Sequence, residues 1–160
     1  MHTHADAEVT LQDFENGLTA ALREVFATML NEQVRIISAT GVTDQIRLSS
    51  IVGFGGLVSG FIGLHLSCET ACWIASALLG INISEDDETV RDAVGELGNM
   101  VAGRLKKFVS RTEEMFAVSI PSVIEGTAYS AHAPAGARQL LFGVMAGGHR
   151  FKVQLVLEAA

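Results

Sequence analysis

The sequence predicts an α/β fold of the α+β kind, with two long amphipathic helices packed on antiparallel β-sheet. Three observations lead there. Apolar residues recur at helical spacing over 11–30 and again over 86–108. Each of these stretches is followed by short strand-like runs punctuated by glycine, so the order of long helix and then several strands occurs twice. The last run, 150–157, alternates Phe151, Val153, Leu155 and Leu157 with Arg150, Lys152 and Gln154, the pattern of a strand with one dry and one wet face. A chain of 160 residues suits one domain, here 9–158, with internal halves of about 9–80 and 81–158. Residues 1–8, which include His2 and His4, are expected to be a disordered tail.

Taken in order, residues 11–30 carry Leu11, Phe14, Leu18, Leu22, Val25 and Met29 as one stripe, and Asn31 suits the helix end. Residues 34–38 and 45–50 have strand character, with a turn at 41–44. Residues 51–56 and 59–67 follow, punctuated by Gly55 and Gly56. The alternation in 61–66 leaves no polar face, so both faces are expected to be partly covered. Gly53-x-Gly55 is not a dinucleotide fingerprint, because Val58 stands where the third glycine belongs and no helix opens there. A short helix over 69–79, with Trp73 and Ala77 in the core, closes on Gly80. Ser84 to Asp87 has the form of a capping box, and the acidic run 85–88 suits a helix N-terminus without any metal. Strands are expected at 114–120 and 139–145, extended chain at 122–126 and a small Gly/Pro loop at 129–137. Gly147-Gly148 is the hairpin turn before the last strand.

The composition narrows the function. A net charge of −7 and a pI of about 5.1 supply no basic stripe for nucleic acid. Residues 53–83 are apolar, but glycine pairs, His65, Glu69 and a change of period make them a strand and a buried helix instead of a membrane span. The first ten residues are polar and acidic, unlike a secretory signal. Cys68 and Cys72 read as buried free thiols: four apart on a helix they form no relaxed disulfide, and no further thiol completes a zinc site. A reduced, cytoplasmic protein is expected.

A shift of 72 residues (Leu18 to Val90) superposes the two helical stripes: Leu22 falls on Val94, Val25 on Leu97 and Met29 on Val101. Glu24 then falls on Glu96, and Ala27 on Asn99. We read this as an internal duplication, the two helices being mates on sheets formed by the two strand sets. On a helical wheel, Val90, Val94, Leu97, Val101, Leu105 and Phe108 share one sector. Asp92, Glu96, Asn99 and Gly103 form a stripe on the opposite side, with Lys106 and Lys107 just beyond. Gly95, Gly98 and Gly103 each cost roughly 1 kcal/mol against alanine in a helix, which points to close approach by something else.

Glu96 and Asn99, one turn apart, make neither a nucleophile–base dyad nor a carboxylate pair, and no histidine joins them to bind zinc. A carboxamide can hold a water, accepting from it and donating to another oxygen. That is useful where a water must be aimed at an electrophile, with the carboxylate free to bind a lysine. Such a site is incomplete alone and would serve chemistry on a partner; its convex position agrees, since small-molecule sites prefer hollows. On geometry alone, a solvated helix face explains the stripe at least as well. His65, His132 and His149 are scattered, and nothing marks a small-molecule enzyme.

Asp92-x3-Glu96-x2-Asn99, followed by Pro121, resembles the signature of the CheC/CheX/FliY chemotaxis phosphatases. The opening helix with its segment 24–30, the glycine-rich strands 53–66 and the short helix ending at Gly80 are similar as well, and the resemblance covers roughly 9–158. It implies a CheC-like fold and a phosphatase that removes phosphate from the aspartyl phosphate of a CheY-type response regulator. It implies that Asn99 orients the attacking water and Glu96 contacts the regulator's lysine. Asp92, Gly95, Gly103 and Lys106 would lie against the partner, with the glycines leaving room for its surface. No cofactor is implied on this chain, Mg²⁺ belonging to the regulator. With Ala27 in the first helix, only the second should be active, the CheX-like arrangement, and CheX-type proteins are homodimers joined through sheet edges. The alternative from another class is a non-catalytic CheX-like module that docks on a receiver domain; Asn99 favours catalysis.

Overall fold

Thr10 opens the first helix, α1 (Leu11–Val25), with a capping box: its hydroxyl accepts from Asp13 N at 3.2 Å, and the Asp13 carboxylate accepts from Thr10 N at 2.7 Å. The structure is a computed structural model and describes residues 9–85, 87–109, 116–127 and 129–158. The expected tail, 1–8, lies outside the described residues. After α1 come a π-helical turn (Phe26–Leu30), β1 (Arg35–Ile37), a 3-10 turn (Ala39–Gly41), β2 (Leu48–Gly56) and β3 (Gly60–Leu66). Then follow α2 (Cys68–Leu79), α3 (Glu88–Val109), β4 (Phe116–Val118), β5 (Ser122–Glu125), β6 (Arg138–Ala146) and β7 (His149–Leu157).

The described strands form one antiparallel sheet, not two. Its order is β1-β6-β7-β3-β2, and β4 and β5 both pair with β2. The strands before and after α3 interleave: β3 pairs with β7, from Gly60 opposite Leu157 to His65 opposite Lys152, β1 pairs with β6, and β2 pairs with β4 and β5. This interleaving satisfies strand edges that separate sheets would expose. Residues 45–50 and 51–56, expected as two runs, make the single strand β2 from Leu48. The strand expected over 114–120 is seen as β4, Phe116–Val118; residues 114–115 are outside the description.

α1 and α3 lie against each other on one face of the sheet. Leu18, Leu22, Val94, Leu97, Val101 and Leu105 are fully buried in the core between them and the inner side chains Ile62, Leu64, Val153 and Leu155. This is the α+β architecture expected. Two stripe members depart from it. Phe108 is half exposed and Val109 is buried instead, the drift of a 3.6-residue period along a long helix. Met29 is 47% exposed, while Phe26 and Leu30 are buried. The π-helical turn explains that shift by one: it holds an extra residue, so the stripe passes from Leu22 and Val25 to Phe26 and Leu30. Asn31 then ends the turn at φ 55°, its N–H bonded to the carbonyl of Phe26.

At the other end of the sheet, Gly147 and Gly148 both have positive φ, 55° and 78°, as a two-residue hairpin turn requires. Trp73 is half-buried there instead of lying within the core, stacked on His149 with ring centroids 4.6 Å apart. On the sheet face away from α1 and α3, a chain of hydrogen bonds crosses four strands. The Tyr129 hydroxyl donates to Ser49 Oγ (2.6 Å), which meets His65 Nδ1 (2.7 Å). His65 Nε2 meets Gln154 Oε1 (3.0 Å), and Gln154 Nε2 donates to Gln139 Oε1 (3.3 Å). A neutral His65 with its proton on Nε2 makes this a one-way relay of donors. Gln154, expected on a wet face, is buried because it belongs to this relay.

Candidate functional site

Asp87, the residue before α3, accepts from Thr89 N at 2.9 Å and Thr89 Oγ1 at 2.7 Å. These bonds hold its carboxyl below the usual carboxylate range. Asp87 therefore supplies the helix start through Thr89, not through the box expected from Ser84, and α3 begins at Glu88; residue 86, the start expected from sequence, is outside the description. From there α3 is pinned along its length. Arg91 donates to Glu125 of β5 at 2.9 Å, both half exposed. Gly98 presses on β2, where an added Cβ would lie 3.0 Å from Ser50 Cβ and closer still to Ser50 Oγ. Arg104 pairs with Glu24 of α1 at 3.1 Å.

On that fixed helix Asp92, Glu96 and Asn99 are all exposed, as the wheel predicts. Among the described residues, neither Glu96 nor Asn99 has a hydrogen bond or ion pair. Positions three apart on a helix are neighbours, so carboxylate and carboxamide point outward together. Gly103 also lies on open surface, with nothing within 4 Å of where its Cβ would be. Lys106 is half-buried and Lys107 exposed at the C-terminal end, where cations suit the helix dipole. Gly95 departs from expectation: it is buried, and a Cβ there would lie 3.3 Å from Val123 Cγ2 and 3.8 Å from Pro121 Cγ. Its missing side chain makes room for the chain's own β5 segment, not for a bare outer surface.

The first helix shows why it carries no matching device. Glu24, the counterpart of Glu96, is occupied by Arg104. Ala27, the counterpart of Asn99, is exposed but has no polar group, and it sits inside the π-helical turn. Thr28 donates to the Glu24 carbonyl at 2.8 Å within the same turn.

Other chemistry-bearing residues do not converge here. His132 meets Ser130, and His149 meets Trp73. Ser49 and His65 stand at the distance of a nucleophile and its base, a pair that no local spacing in the sequence signals. Both are buried within the Tyr129 relay, so no substrate reaches them. Burial pushes the His65 pKa down; its bond to Gln154 opposes this, and Lys152 adds to it. Cys68 and Cys72 are free and half-buried. Burial, with Cys68 and Glu85 nearby, pushes the Cys72 thiol up to about 11, so it is not a nucleophile at neutral pH. Among the described residues, no group of three His, Cys, Asp or Glu side chains could hold a metal ion, and no helix is long and apolar enough to cross a membrane.

What the sequence reasoning missed is the apolar border of the site. Met29, Met100, Leu78 and Leu79 line the surface beside Glu96. Met100, four residues after Glu96, was a readable signal; Met29 was hidden because straight helical spacing assigns it to the core.

The sequence profile of the family described as chemotaxis phosphatase CheX matches residues 48–144, more than half of the chain. The CheY-P phosphatase CheX of Thermotoga maritima is 32% identical over 78 residues, 48% of this chain and 50% of that protein, so the match spans about half the length of this curated relative. Among solved structures, the chemotaxis protein CheX from Vibrio vulnificus has a TM-score of 0.79 at 21% identity, covering 91% of this chain and 96% of that one. The CheX–CheY–BeF3–Mg²⁺ complex from Borrelia burgdorferi has a TM-score of 0.65 at 21% identity, covering 95% and 100%.

Proposed function

Because the chain belongs to the CheX family of chemotaxis phosphatases, we propose that it hydrolyses the aspartyl phosphate of a CheY-type response regulator. The observation that carries this is the Glu96–Asn99 pair: exposed, free of partners among the described residues, and held on a helix that is tied to the rest of the fold on three sides.

In this reading α3 enters the regulator's active site. Glu96 meets the regulator's lysine and sets the docking angle. The Asn99 carboxamide oxygen accepts a hydrogen bond from a water and aims it at phosphorus. Water adds to phosphorus, the bond from phosphorus to the aspartyl oxygen breaks, and carboxylate and inorganic phosphate leave. No covalent intermediate on this chain is needed. Mg²⁺ belongs to the regulator. Asp92 and Lys106 border the contact, and Gly103 lets the partner approach the helix. The complex forms in the cytoplasm, with the protein as a homodimer joined through a sheet edge, β1 or the β4–β5 side.

The test is phosphate loss from a phosphorylated receiver domain with and without the protein. Wild type should accelerate it, and Asn99→Ala should lose about a hundredfold, the scale of removing one positioning group. Equal decay with and without wild type, across cognate receivers, removes the enzyme reading. Binding without acceleration supports the non-catalytic docking module instead.

A further inference from the structure

Two grooves flank Glu96, and the same two methionines wall both. One, of about 430 Å³, runs past Asp92 to Leu78 and Leu79 at the end of α2. The other, of about 440 Å³, runs down α3 past Gly103 to Arg104 and Lys107. Met29 and Met100 stand between them with Glu96. Met29 is on this surface only because the π-helical turn carries it out of the core stripe. Such turns recur at functional positions, and methionine offers an adaptable apolar contact.

The charges along this face are sorted. Asp92 and Glu96 lie on the N-terminal side of Met100, and Lys107 on the C-terminal side, with Arg104 already paired to Glu24. A partner that fits must present a cation, an apolar side chain and an anionic rim in that order. A receiver domain offers a lysine beside its phosphorylated aspartate, which supplies the cationic end that Glu96 meets.

We propose that Met29 and Met100 form the docking contact for the phosphorylated receiver domain, seating one apolar side chain that lies about one helical turn from the receiver's lysine. This rests on the receiver being the partner. Met29 sets affinity and leaves the chemistry to Asn99.

The experiment uses Met29→Gln, which keeps length and loses apolar character at a half-exposed site, with Leu57→Gln in the exposed β2–β3 turn as control. Phosphate release gives KM and kcat for the phosphorylated receiver, and titration of beryllofluoride-loaded receiver gives Kd. Met29→Gln should raise KM and Kd about tenfold, the scale of a strong interface residue, with kcat within about twofold and an unchanged melting curve. Leu57→Gln should change none of these. Unchanged KM and Kd in Met29→Gln, or a fall in kcat at constant KM, overturns the proposal. If wild type binds the loaded receiver but does not speed phosphate loss, a weaker Kd in Met29→Gln upholds the docking contact while the phosphatase reading falls. If wild type neither binds nor hydrolyses, both fall.

Discussion

Gly98→Ala tests whether α3 is set by its contact with the sheet. Alanine favours the helix by about 1 kcal/mol over glycine. Against this, the new methyl would overlap Ser50 Oγ and lie 3.0 Å from Ser50 Cβ and 3.4 Å from Val52 Cγ2. Rotating the Ser50 hydroxyl relieves only the first contact, since its Cβ is fixed to the β2 backbone. The helix must lift from β2, and overpacking of this kind costs about 1–3 kcal/mol. The methyl's own gain offsets part of that, leaving a net loss of about 1 kcal/mol and at most about 2. Urea unfolding followed by circular dichroism measures this. Gly103→Ala, which meets nothing within 4 Å, reports the helix gain alone. Combining Gly98→Ala with Ser50→Gly should recover about 1 kcal/mol beyond additivity. Stability equal to or above wild type in Gly98→Ala, or no coupling to Ser50, would refute the close-packing argument.

Two further outcomes follow from the same structure. His65 binds a proton less readily folded than unfolded, so its share of stability is full above about pH 6.5 and declines as pH falls toward its lowered folded-state pKa; unfolding free energy should drop between pH 7.5 and 5.5, and the same slope in His65→Asn would show that another group is responsible. Gly103→Leu should leave the melting temperature at or above that of wild type and lower kcat/KM for phosphorylated receiver about tenfold, whereas unchanged activity would show that the partner does not need that bare stretch of helix.

Much of the fold was legible because each element signals itself locally. The α1 and α3 stripes, the Gly80 cap and the Gly147-Gly148 turn depend on neighbouring residues alone. The Glu96–Asn99 stripe was legible for the same reason: an undistorted helix preserves its spacing. The single sheet was not, since the pairing of β3 with β7 joins residues far apart in sequence. Gln154 misled because its partners, His65 and Gln139, lie on other strands. Gly95 misled because a wheel shows which way a residue faces but not what stands there; Val123 does. Glu24 matches Glu96 in sequence, yet its pairing with Arg104 is a tertiary fact that no alignment of stripes contains.

The π-helical turn has a consequence for how this protein can change. Its effect is one of counting: an extra residue between Val25 and Leu30 decides which side chains face out. No substitution within Phe26–Leu30 removes the extra residue, whereas deleting one residue there lets straight α-helical spacing carry the stripe from Leu22 and Val25 to Leu30. This short segment should therefore tolerate the loss of one residue, which the regular helix before it would not. The first helical segment, by the same arithmetic, differs in frame from α3 by one residue of length, which no substitution supplies.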